Sequence, residues 1–222
     1  MKSLALLAAF AVFGGPANVA AAPAAPIIYV LPLGAELPAA DVEAVRTALV
    51  AFYAADVRVL PRAPLPAASW TAARRRWRAE KLLVFLRDQM PAGGARILGL
   101  TGADISTTKG RFEDWGVMGL GEEPGVATVI SSFRCRKRAR DAAHARERLA
   151  KVAVHELGHS LGLEHCPTAG CLMHDAEGKV ATVDDEYDLC PRCRARLAAV
   201  GRALPAAPAI PWPRPRLSGP GR

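Results

Sequence analysis

His155-Glu156-Leu157-Gly158-His159-Ser160-Leu161-Gly162-Leu163-Glu164-His165 is the stretch that decides how the remainder of the 222-residue chain is read. Two histidines four apart on a helix lie one above the other, so both imidazoles reach a single ion. Glu156 sits one position round, close enough to handle the proton of a metal-bound water. Gly162 lets the chain leave the helix, and the turn returns His165 as a third nitrogen. Three neutral imidazoles with an open fourth position describe a catalytic zinc, not a closed structural one. In that arrangement Glu156 is the expected general base, taking a proton from the metal-bound water.

The flanking sequence supplies the helix. Asp141 is the expected N-cap of a segment running to about Leu161. Along it Ala150, Val154, Leu157 and Leu161 share one face for burial, while His155 and His159 lie roughly 100–140° round from that stripe. One helix thus packs the domain and presents ligands to a cleft.

Upstream, Ile27 to Leu31 reads as a strand between prolines, and Val42, Val45, Leu49 and Phe52 mark a helix that begins near Pro38. Val57–Leu60 and Ile97–Thr101 are further strands. The segment from Ser69 to Met90 is expected to begin as a helix, with Arg74 to Arg78 on its solvated face and Trp77 packed inward. Leu82 to Leu86 suits either the end of that helix or a strand. Val117–Leu120 and Val126–Ser132 bracket a turn at Gly121–Gly125, a hairpin-like pair. The first of them is short and glycine-rich, which fits a sheet edge. It is read either as a template for an added peptide strand or as an ordinary edge.

At the ends of the chain the composition changes. Lys2, an apolar run from Leu4 to Phe13 and small residues near Ala21 and Ala22 predict a signal peptide over residues 1–22 and export to a periplasmic or secreted location. An uncleaved N-terminal anchor is the other reading; the run is too short to cross a bilayer unaided. Residues 23–203 are expected to form the folded domain. Residues 204–222, with six prolines from Pro205 onward, read as a disordered tail. The net charge of +8 is read as solvated helix faces and compositional bias, not as a nucleic-acid surface. No further membrane segment and no internal repeat is visible. A monomer acting on a peptide or protein is expected.

The cysteines carry a second signal. Cys166 and Cys171, then Cys190 and Cys193, are two close pairs suited to a four-thiolate structural zinc. Two disulfides are the competing reading for an exported protein. Cys135 is left over, as a small buried apolar residue.

Gly162, His165 and the downstream Met173 extend the zinc pattern to that of the metzincin metalloproteases. Together with Cys166, Cys171, Cys190 and Cys193, it resembles the archaemetzincin family over residues 149–197; sixteen residues separate Met173 from Cys190. The resemblance implies an α+β, compact metzincin-like fold: a twisted mixed β-sheet with helices, an active-site helix and a small Cys-rich C-terminal lobe. It further implies two zinc ions, a catalytic one on His155, His159 and His165 with Glu156 as base, and a structural one on the four cysteines. Met173 would form the Met-turn. Asp104, Glu164 and Asp175 are candidates to orient the ligand rings. The function expected is a zinc-dependent metallopeptidase, endopeptidase or aminopeptidase; the alternative is a zinc-stabilised peptide-binding protein with little or no hydrolytic activity.

Overall fold

The computed structural model describes residues 24–202, 204–205 and 208–214; the leader expected over residues 1–22 lies outside them. In chain order the elements are β1 (Ile27–Leu33), α1 (Ala39–Tyr53), β2 (Asp56–Val59), β3 (Trp70–Thr71), β4 (Arg76–Arg78), α2 (Ala79–Gln89), β5 (Arg96–Thr101), β6 (Ile105–Lys109), β7 (Phe112–Val117), β8 (Gly119–Gly121), β9 (Ala127–Ser131), α3 (Ser132–Cys135), α4 (Ala142–Ser160), α5 (Thr182–Asp185) and α6 (Pro191–Ala199). They form a mixed α+β fold with two sheets, ordered β2-β1-β5-β9-β8 and β3-β4-β6-β7. The expectation of a single mixed sheet is corrected on this point.

In the larger sheet β2, β1, β5 and β9 are parallel and β8 closes the row antiparallel to β9. Strands buried on both faces read as continuous apolar runs, and alternation sorts their side chains between two cores. Ile28, Val30, Leu98, Leu100 and Ile130 face α1 and α4. Tyr29, Leu31, Leu33, Ile97 and Val129 face α2 and the second sheet. The apolar stripe of α1 puts Val45, Leu49 and Phe52 into the first core. The Tyr53 hydroxyl donates to the Val154 carbonyl at 2.7 Å, which ties α1 to α4.

Two expectations fail upstream and downstream of this frame. The helix expected within residues 69–90 starts only at Ala79; Leu82 to Leu86 belong to it. Before it, Trp70 pairs with Trp77 across an antiparallel ladder, their rings 5.1 Å apart. Arg76 is no solvated side chain either: Asp104 holds it at 2.9 Å and the Asp114 carbonyl at 2.9 Å. Those partners lie about thirty residues on, so helical spacing is overridden by tertiary contacts. The stretch expected to be a disordered tail contains a docked segment. Trp212 stacks on Phe52 with centroids 5.3 Å apart, and its indole N–H donates to the Tyr187 carbonyl at 3.0 Å. One large aromatic buries enough apolar area to fix a short proline-rich run. Among the described residues no helix is long and apolar enough to cross a membrane.

Candidate active site

Helix α4 begins where Asp141 accepts a hydrogen bond from the His144 backbone N–H at 2.7 Å. Its buried face, which includes Leu149, Ala153 and Leu157, packs into the first core. That packing fixes the rotation of the helix, so His155 and His159 turn toward the cleft beneath β8.

Both rings are oriented by main-chain carbonyls. His155 Nδ1 donates to Leu172 O at 2.6 Å and His159 Nδ1 to Leu163 O at 2.7 Å. Burial lowers the pKa of His155 to about 3 and shifts His159 downward as well, so both rings are neutral near pH 7. With the proton on Nδ1, each Nε2 carries a lone pair, and the two Nε2 atoms stand 3.1 Å apart. Two lone pairs so close repel unless a cation lies between them. Tetrahedral ligands about 2.05 Å from zinc would be roughly 3.3 Å apart, close to the spacing seen.

The chain leaves α4 through Gly162, whose φ of 90° is costly for any residue with a Cβ. Gly162 N–H donates to His159 O at 2.8 Å and Leu163 N–H to Gly158 O at 3.0 Å, closing the helix end. His165 then folds back, its ring 4.8 Å from that of His159 and 5.4 Å from that of His155. One nitrogen from each of the three lies within 4.8 Å of the others. Below them Met173 is fully buried, and its carbonyl accepts the Cys166 N–H at 2.7 Å. The same short segment therefore anchors His155 through Leu172 and the His165 loop through Met173.

Glu156 lies against the glycines of β8 and is almost fully buried. Burial raises its carboxyl pKa to about 8, and the Gly121 backbone N–H offsets part of the rise. Its carboxyl opens on a cleft of about 300 Å³, walled by Trp115, Val117, Gly119, Val152, Val183 and Glu186 among others. A cation held beside this carboxyl would favour its ionised form against the effect of burial, which is the state a general base requires.

The four cysteines expected to act together do converge. Cys166 and Cys190 Sγ are 3.7 Å apart, Cys171 and Cys193 Sγ 3.8 Å, and all four sulfurs lie within 4.8 Å of one another. A tetrahedron of thiolates about 2.3 Å from zinc has edges of about 3.8 Å, whereas a disulfide would need about 2.05 Å. Cys135 stands apart in the first core, its thiol pushed up to about 12 by burial, and is inert there.

Of the three carboxylates considered for ring orientation, only Asp175 comes near one of the three rings, 3.7 Å from His165 Nδ1. Asp104 is taken by Arg76 and Arg134, and Glu164 by Arg196. The partners that orient His155 and His159 are backbone carbonyls, which leave no trace in residue identity. The sequence reading also missed Glu186 and the wall supplied by β7, because neither belongs to the local pattern around α4.

Comparison with known proteins shows the family of the chain. The profile of Peptidase family M54 matches residues 51–199. The archaemetzincin of Archaeoglobus fulgidus is 32% identical over 171 residues, covering 77% of this chain and 98% of that protein. That of Haloquadratum walsbyi is 30% identical over 176 residues, covering 75% and 96%. Among solved structures, the archaemetzincin of Methanopyrus kandleri superposes with a TM-score of 0.68 at 29% identity, over 79% of this chain and 94% of that one. The A. fulgidus archaemetzincin, solved with malonate, gives 0.64 at 32% identity, over 77% and 99%.

Proposed function

The chain belongs to peptidase family M54, the archaemetzincins, and from that premise we propose that it hydrolyses peptide bonds in the cleft beneath β8, with Glu156 as general base. The observation that carries this reading is the pair of neutral imidazoles whose Nε2 lone pairs meet at 3.1 Å, next to the buried Glu156 carboxyl at the wall of the same cleft. His155, His159 and His165 would hold the catalytic zinc. When bound, zinc supplies a Lewis acid that acidifies water and polarises a carbonyl.

The protein's own groups do the remainder. Glu156 accepts the proton of the attacking water on its carboxylate and passes it to the departing nitrogen. The carbonyls of Leu172 and Leu163 keep both Nδ1 atoms protonated, so Nε2 stays available. β8 is the edge of the larger sheet and lines the cleft, so its backbone is placed to align an extended substrate as an added strand. The Cys166–Cys171–Cys190–Cys193 cluster would hold a second, structural zinc, pinning the loop after His165 to α6. The leader read in residues 1–22 supports export, which the N-terminal residue of the mature protein would test.

The deciding experiment is E156Q with metal analysis. Hydrolysis of quenched fluorescent peptides should fall by at least about a hundredfold while zinc content is unchanged. Turnover that survives in E156Q would overturn the assignment of the base. Comparing N-terminally free with blocked peptides separates aminopeptidase from endopeptidase action. A role as a zinc-stabilised binding protein without hydrolysis is not favoured, since the family matched is a peptidase family.

A further inference from the structure

Glu186 caps α5 and is nearly enclosed, only 3% exposed, at the wall of the active-site cleft. Among the described residues nothing hydrogen-bonds or ion-pairs with its carboxyl. The cation whose charge acts on it, Lys151, is fully buried but already committed. Its ammonium donates to Val183 O at 3.1 Å and Asp184 O at 3.4 Å, and pairs with Glu147 at 2.8 Å. An ammonium has three donors, and these partners use them.

A buried carboxyl without a partner is costly, and an apolar wall would serve an apolar substrate better. Its neighbours in the cleft suit a particular guest. Val152, one turn before Glu156 on α4, and Val183 on α5 provide apolar surface on the approach. The cleft is lined by the carboxyls of Glu123, Glu156, Asp175 and Glu186 and by a single basic side chain, Lys109. Lys109 is itself near Asp175, at 3.9 Å.

We infer that Glu186 is a specificity-determining residue that receives the cationic tip of a substrate lysine or arginine, with the aliphatic stem lying against Val152 and Val183. The inference rests on the peptidase reading of this cleft and names the class of substrate it selects. An arriving ammonium or guanidinium supplies the charge-assisted hydrogen bonds the carboxyl lacks. Burial pushes Glu186 up to about 9, with Lys151 a partial offset, so the carboxyl holds a proton until such a cation is beside it. Guest binding therefore releases that proton.

The test uses the zinc-loaded full chain and peptides that differ at one residue beside the scissile bond: Lys, Arg, norleucine, Gln or Glu. The wild type should show a kcat/KM for Lys or Arg at least tenfold above that for norleucine. In E186Q that ratio should fall to near one, and in E186K the Glu peptide should overtake the Lys peptide. Equal rates for Lys and norleucine in the wild type would overturn the inference, as would a Gln preference, or an unchanged ratio in E186Q. Binding of the same labelled peptides to E156Q gives a readout that needs no turnover. There the Lys peptide should bind at least tenfold tighter than norleucine, and equal affinities would sink the proposal even if E186Q does not fold. Absence of hydrolysis for every peptide would count against the peptidase reading alone, since the ratio of affinities is measured separately.

Discussion

Gly158 faces Met173 so closely that a Cβ on the glycine would lie 2.5 Å from the methionine sulfur. Replacing glycine by alanine inside a helix ordinarily gains about 1 kcal/mol. Here overpacking, about 1–3 kcal/mol, works against it, so G158A should be less stable than the parent. Truncating Met173 instead opens a cavity and should cost about 2–5 kcal/mol. The two changes relieve one another, and the double variant G158A/M173A should be more stable than the sum of the single effects requires. A double-mutant cycle by urea unfolding measures the coupling, expected at about 1 kcal/mol in the favourable sense.

The glycines of β8 separate activity from stability. At Gly119 a Cβ would meet Glu156 Cγ at 2.5 Å and Oε1 at 2.8 Å, atoms of a side chain that can rotate away. At Gly121 it would meet the Glu156 carbonyl at 2.4 Å, which is backbone and cannot move without shifting the helix from the sheet. G119A should therefore lose kcat with little change in Tm. G121A should lose both. Thermal unfolding and peptide turnover of the two variants side by side give the comparison.

Metal content distinguishes the two readings of the cysteines. Two zinc ions per chain are expected, and C190S should retain the one on the histidines while losing the other. A strong chelator should remove both, with loss of activity and a lower Tm, because a ligand that binds only the folded state stabilises it. One zinc per chain and no titratable thiol at the four positions would instead indicate disulfides.

Asp184 links acid stability to the cleft. It accepts two bonds from Arg148, each at 2.7 Å, and a third from His144 at 2.8 Å, joining α5 to α4. Burial alone would raise its pKa, but the bonds from Arg148 and His144 outweigh that and leave it below the usual aspartate value. A depressed folded-state pKa stabilises the fold above the unfolded value, about 3.9. That contribution disappears as pH falls through the lower folded value. D184N should be less stable at neutral pH by about 3 kcal/mol, roughly 6–12 °C in Tm. It should also lose part of the steepening of acid unfolding below about pH 4, as denaturation scans across that range would show. Because Val183 and Glu186 flank this pair, D184N should also lower kcat/KM.

How much could be read without coordinates follows from the range of each interaction. The zinc-ligand spacing, the helix N-cap at Asp141, the reversal at Gly162 and the two cysteine pairs are local, written within a few turns of one another. The sequence by itself therefore determined which histidines and which cysteines come together, and the apolar faces of α1 and α4. The second sheet, the strand at Arg76–Arg78 and the docking of Trp212 depend on Asp104, Asp114, Tyr187 and Phe52, distant in sequence. Only the tertiary structure decided those, since no local period specifies a partner tens or more than a hundred residues away. It alone also decided that backbone carbonyls, identical in every residue type, orient the His155 and His159 rings. The same holds for Glu186, whose isolation arises because Lys151 spends its donors elsewhere.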